Sequence, residues 1–233
     1  MRVLAIGAHP DDAEYYCGGT LIRYKRAGHE TAVCVLTNGN QGHYRLMPEE
    51  LSAVRRKEAQ DGCRVLGAEL HWLNQNDGFL MDAFETRMAL VEVIRRFRPD
   101  VVFTHCLTDY HMDHRAASTL TYASCNLAAL PHVFTESPFL ETVPALFYMD
   151  GMPGVRFDPT DFVDVTPVWD KKCEALRQHK SQYDWISQHD DLDMTDSMEV
   201  ICRYRGVTCG VRYAEAFQRE MAWGRMTVEK LLP

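Results

Sequence analysis

What this chain lacks narrows it first. None of its eight cysteines stands in a Cys-x-x-Cys pair, and no Gly-x-Gly-x-x-Gly follows the first apolar run. A dinucleotide site at that run is therefore disfavoured. No Gly-x-Ser-x-Gly elbow is present, so a serine hydrolase has no obvious nucleophile. No apolar run approaches the length of a membrane span. Basic residues are the minority, 25 Lys and Arg against 33 Asp and Glu, for a formal net charge of −8. That balance argues against nucleic acid or an anionic membrane surface as the main partner. The chain enters a strand directly after Arg2, so no leader peptide is expected. Cysteines scattered through apolar segments read as buried, reduced thiols of a cytoplasmic protein; a Cys202–Cys209 bridge is the alternative in an oxidising compartment.

What is present is an ordinary folding composition. With 233 residues, 46% hydrophobic and 25% charged, one domain spanning 1–233 with a sizeable core is expected. Apolar runs at Val3–Ala8, Thr31–Thr37, Glu69–Leu73 and Val101–His105 read as strands. Helical patterns lie between them at Gly18–Ala27, Pro48–Leu66 and Ala83–Phe97, with Gly28, Gly67 and Pro99 as stops. A helix is expected over Arg115–Leu130, strands at Ala145–Met149 and Phe162–Val165, and one helix over Pro167–Gln182. The remainder reads as less regular, with an amphipathic segment at Arg212–Ala222. The alternation predicts an α/β, Rossmann-like fold: a mainly parallel sheet with helices on both faces and strand order 3-2-1-4-5.

Two short motifs carry the chemistry. His9-Pro10-Asp11-Asp12-Ala13-Glu14 leaves the first strand, and His111-Met112-Asp113-His114 follows the fourth. In the predicted order these strands are neighbours, so the motifs converge at the switch point where such sheets place ligands. Imidazole and carboxylate are ligands for zinc and similar divalent metals, and a catalytic zinc takes three of them, leaving a position for water. Six candidate groups exceed that need, and the surplus suits a general base and an oxyanion or acid partner. Either motif alone is matched by a plain reading, since Asp11, Asp12 and Asp113 are all ordinary helix caps. Both together, behind adjacent strands, favour a site. His29, His43, His71, His132, His179 and His189 lack partners at ligand spacing. Asp190, Asp191 and Asp193 read as a solvated acidic turn.

With these residues in view, the chain resembles the LmbE-like (PIG-L) deacetylases, which remove an acetyl group from N-acetylglucosaminyl compounds. The resemblance rests on Ala8–Glu14 followed by Cys17-Gly18-Gly19-Thr20, and on His111–His114. Arg55 and Glu58, Asp77-Gly78, Arg98-Pro99-Asp100, His179–Gln182 and Tyr213–Phe217 are weaker echoes. Tyr16 departs from it, where a small residue usually precedes the cysteine position. The resemblance implies zinc held by His9, Asp12 and His114, with Asp11 as general base. It also implies a protonated His111 stabilising the oxyanion and Asp113 orienting His111. Arg55 is the candidate substrate contact, with a surface Arg55–Glu58 pair as the alternative. The implied reaction is hydrolysis of an N-acetyl amide on an amino sugar or its conjugate by a cytoplasmic enzyme, expected as a homo-oligomer. Hydrolysis of a phosphoester or another amide, or metal and sugar binding without catalysis, are the rival readings.

Overall fold

The computed structural model describes residues 1–151, 154 and 156–222. β1 (Arg2–Gly7), β2 (Glu30–Thr37), β3 (Glu69–Gln75), β4 (Val101–His105) and β5 (Ala145–Met149) alternate with α1 (Asp12–Arg26), α2 (Pro48–Leu66), α3 (Phe84–Phe97) and α4 (Met112–Ala128) up to β5. Next come β6 (Asp161–Asp164), a short 3₁₀ turn, α5 (Trp169–Leu176), α6 (Lys180–Asp190), α7 (Met194–Cys209) and β7 (Ala214–Arg219). All seven strands join one sheet in the order β3-β2-β1-β4-β5-β7-β6. The first five are parallel in the expected order, and β7 closes antiparallel against both β5 and β6.

Strands buried on both faces explain the unbroken apolar runs of β1 and β2. Val3 and Ala5 face one core layer with α1, while Leu4 and Ile6 face the other with α3 and α4. Pairing of β1 with β4 sets Ile6 beside Thr104, so the chain leaves both strands at one edge of the sheet.

The C-terminal third departs from expectation. The helix expected over Pro167–Gln182 is broken at His179, which is wholly buried 3.5 Å from Glu14 Oε1. A new helix, α6, starts at Lys180, and Glu58 secures it by accepting from the Ser181 N–H (2.8 Å) and hydroxyl (2.6 Å). The segment after Asp190 is not irregular. Asp193 caps α7 by accepting from Thr195 N and Asp196 N, so that part of the acidic turn is a helix start. The amphipathic segment at Arg212–Ala222 contains β7, whose first four residues are buried: β5 and β6 flank its edges, and Ala216 and Phe217 enter the two opposite core layers.

The Gly18-Gly19-Thr20 stretch lies inside α1. A side chain at Gly19 would bring its Cβ within 2.5 Å of Val165. That closeness lets Glu215, on β7, accept the N–H groups of Gly19 (2.8 Å) and Thr20 (2.7 Å). Lys172, on α5, is fully buried; it donates to Glu215 Oε1 (2.5 Å) and to the Tyr15 and Glu14 carbonyls. This ion pair clasps the helix whose first turn carries Asp11 and Asp12.

Candidate metal and catalytic site

The two motifs meet. His9 Nδ1 lies 3.2 Å from His114 Nε2 and 3.6 Å from Asp12 Oδ2, and His114 Nε2 lies 3.4 Å from Asp12 Oδ1. The two imidazole nitrogens and the two Asp12 oxygens thus crowd one spot, and the overlapping groups His9/His111/His114, Asp12/His105/His114 and His9/Asp77/Asp113 could each hold a metal ion.

Neighbouring groups fix which atoms face inward. Asp12 accepts from the His9 N–H at 2.6 Å, which locks the turn between them. The far nitrogen of His9, Nε2, lies 3.1 Å from Asp77 Oδ1 and 3.3 Å from Asp113 Oδ2. These carboxylates place the proton on Nε2 and leave Nδ1 as a lone-pair donor, the arrangement usual behind a metal-ligating histidine. His114 Nδ1 lies 3.1 Å from Asp109 Oδ1 in the same manner. His105, at the end of β4, stacks on His114 and sets Nε2 2.9 Å from Asp12 Oδ2. Tyr16 packs edge-on against both rings, so the departure from the family pattern builds the wall behind the donors.

The electrostatics call for positive charge. Asp11, Asp12, Asp77, Asp109 and Asp113 surround the histidines. Burial opposes a charge on His9, yet contacts with Asp113, Asp12 and Asp77 carry its pKa well above the ordinary value. Burial likewise opposes charge on His114, and Asp12 and Asp109 raise it to about 9. Burial by itself would raise Asp77, but its bond from His9 and the His9 and Arg55 charges hold it at about 2. A divalent cation answers such an acid excess, and two nitrogens with one oxygen form a donor set used by zinc and by non-haem iron.

Asp11 stands at the start of α1 with φ 119°, a conformation that costs a non-glycine residue about 1–3 kcal/mol and that clusters at active sites. Burial raises its carboxyl to about 6, moderated by the Arg55 charge. Arg55 reaches Asp11 Oδ2 at 3.0 Å and the Pro10 carbonyl at 2.6 Å. Gly39, at φ 64°, passes directly over the guanidinium, where any side chain would collide with it. Arg55 is therefore buried beneath the site, and the alternative of a surface Arg55–Glu58 pair does not hold.

The expected link from Asp113 to His111 does not form. Residues two apart at a helix start project in different directions. The Asp113 carboxylate instead accepts from Gly78 N (2.7 Å) and Leu80 N (3.2 Å) and faces His9. His111 Nδ1 accepts from the Asp113 N–H and so caps α4. Burial and the neighbouring His9 and His114 charges lower the His111 pKa. A neutral ring accepting at Nδ1 carries its proton on Nε2, in place of the imidazolium expected from sequence. His9, His111 and His114 each offer a ring nitrogen within 4.8 Å of the others.

Sequence reasoning missed Asp109 and His105 as members of the cluster and gave Asp77, one of the weaker echoes, no role in it. Asp77 follows β3, as the two motifs follow β1 and β4, and that strand-exit position, with its echo of the family, was the signal for a role. All cysteines are free.

Known proteins resemble the chain throughout. A family profile described as PIG-L, GlcNAc-PI de-N-acetylase, matches residues 4–125. The diacetylchitobiose deacetylase of Thermococcus kodakarensis is 30% identical, over 93% of this chain and 82% of that protein. The 4-oxalmesaconate hydratase of Pseudomonas putida is 26% identical, over 77% of this chain and 75% of its own length. The structure of N,N'-diacetylchitobiose deacetylase from Pyrococcus horikoshii superposes with a TM-score of 0.82 at 29% identity, covering 94% of this chain and 83% of that one.

Proposed function

The chain belongs to the PIG-L (GlcNAc-PI de-N-acetylase) family, and from that premise we propose that it hydrolyses the N-acetyl amide of an N-acetylglucosaminyl compound to a free amine and acetate. The observation that carries the reading is the convergence of His9, Asp12 and His114 at spacings of 3.2–3.6 Å beside a strained, partly buried Asp11. Binding alone needs no such carboxylate.

In this reading His9, Asp12 and His114 hold the metal. A divalent ion such as zinc held there would supply Lewis acidity toward the acyl oxygen and water. Asp11 takes the proton of the attacking water, and its proton affinity, near pH 6, suits a base working near neutrality. His111 donates from Nε2 to the oxygen that gains charge in the tetrahedral intermediate. The protonated Asp11 then returns its proton to the departing amine. Asp77 and Asp113 orient His9, so Asp113 acts as a positioning residue. Arg55, engaged by Asp11 and Pro10, aims the base and is a positioning residue rather than the substrate contact expected from sequence. Membership of all seven strands in one sheet supports reading the chain as one catalytic domain.

The test is acetate release from a panel of N-acetylglucosamine conjugates by zinc-loaded protein and its Asp11→Asn variant. Release by the wild type with at least a hundredfold loss in the variant supports the reading. Consumption of an unsaturated acid without acetate would point instead to water addition, the activity named for the Pseudomonas relative.

A further inference from the structure

The edge of the sheet that bears the site has two unlike borders. The connection from β2 to α2 is polar where it meets the site, Asn40 bonding both Asn76 and the Asp77 N–H, and its exposed Tyr44 and Met47 come later, Tyr44 against Trp185. The connections leaving β3 and β4 are different. They carry Phe79, Tyr110 and Met112, which are 70%, 58% and 60% exposed.

The site itself holds these apolar side chains in place. Gly78 and Leu80, on either side of Phe79, both donate to Asp113, and Leu80 is buried, so Phe79 turns outward between them. Met112 stands between His111 and Asp113. The Tyr110 ring lies 5.8 Å from that of His111 and 6.0 Å from that of His114. Met81 and Phe84 extend the exposed apolar surface along the chain. Exposed apolar residues bordering a polar centre mark a binding surface. The arginines that follow these segments are engaged, Arg87 with Asp82 and Arg115 with the carbonyls of Asp109 and Tyr110. Asp82 neutralises Arg87, and the Asp77, Asp109 and Asp113 carboxylates behind this border oppose an acidic group more than the single charge of Arg115 attracts one.

We infer that Phe79, Tyr110 and Met112 form the subsite for the aglycone, and that the aglycone taken is apolar, an alkyl or aryl group, rather than acidic. The sugar hydroxyls face the polar border and the aglycone lies along the apolar one. This rests on the deacetylase reading and adds a substrate class to it. Each methylene moved from water onto the border is worth roughly three- to fourfold in kcat/KM, up to the reach of the three side chains.

The experiment compares kcat/KM for acetate release from the methyl, hexyl and phenyl N-acetylglucosaminides and the carboxylate-bearing malyl conjugate, with metal-loaded protein. The expected result is a hexyl-to-methyl ratio of about ten or more, with phenyl above malyl. The ratio should fall toward one in Phe79→Ser and Met112→Ser. It should persist in Val207→Ser, an exposed change on α7. Acetate release with a ratio near one, a preference for the malyl conjugate, or a ratio unmoved by the first two variants overturns the inference while leaving the deacetylase reading intact. An oligomer that dissociates in those variants by light scattering, with the ratio unchanged, assigns the surface to a second copy and also overturns it. No acetate from any of the four removes the deacetylase reading and the subsite with it.

Discussion

Asp11 and Asp12 are identical in type and adjacent in sequence, yet their surroundings divide their work. Asp12 sits under His105 and His114 and accepts the His9 N–H; burial opposes its charge, but these partners hold its pKa well below the ordinary value. Asp11 has Arg55 alone as its cation partner within bonding distance, and burial carries it upward. One is thus a permanent anion suited to ligation and the other a proton acceptor near neutrality. Asp11→Asn should keep its metal and lose turnover, whereas His114→Ala should lose the metal; metal analysis of both purified variants distinguishes base from ligand. Equal metal content in the two would reverse the assignment. Asp77→Ala frees one side of the His9 ring, and metal affinity should fall roughly 10- to 100-fold, measured by competition with a chelator. Asp113→Asn should act in the same direction through the same ring.

At the scale of elements, α1 links the sheet, the site and the C-terminal third. Gly19→Ala forces a methyl into Val165 and should destabilise the protein by about 1–3 kcal/mol, read by denaturant unfolding. Lys172→Met leaves Glu215 buried without its cation, a loss of roughly 3–5 kcal/mol. Adding Glu215→Gln to that variant should restore part of the stability, because no uncompensated charge remains. The pair also sets a pH dependence. Burial alone would lower the Lys172 pKa, but the charge and hydrogen bond of Glu215 raise it. A raised lysine contributes its full stabilisation below the unfolded value, about 10.4, and loses it as pH climbs toward the folded value. The contribution of the pair to wild-type stability, measured against the Lys172→Met/Glu215→Gln double variant by denaturant unfolding, should therefore hold up to about pH 10.4 and shrink above it.

For the whole molecule, binding of a metal to the folded state alone must appear as stability. At a hundredfold excess over Kd the gain is about 2.7 kcal/mol, or about 5–10 °C in Tm for a chain of this size. Scanning calorimetry with and without zinc should show that shift, and His114→Ala should abolish it. A net charge of −8 gathered partly into the Asp11, Asp12, Asp77, Asp109 and Asp113 cluster makes the same point electrostatically: a bound dication would offset the repulsion among these carboxylates. Among the described residues no helix is long and apolar enough to cross a membrane.

The parallel half of the sheet was legible because each β-α unit is a local affair. Apolar runs, helical periodicity and stops such as Gly67 lie within a few residues of one another, and parallel topology then places β1 beside β4. The six groups of the two motifs could therefore be brought to one crevice on paper, and the resemblance chose His9, Asp12 and His114 among them as ligands. The sequence could not tell which carboxylate faces which ring. Asp113 turned to His9, Arg55 went under Asp11, and Asp77 and His105 joined the cluster, because side-chain direction at a loop depends on neighbours some 30 to 100 residues away. The same reason governs the C-terminal third. β7 is a strand because β5 and β6 flank it, and the break at His179 exists because Glu14 and Glu58 wait for that turn. Local chemistry determined the repeating frame and the two motifs at its edge; long-range packing alone decided how their side chains face one another, which carboxylates join them and the apolar border beside them.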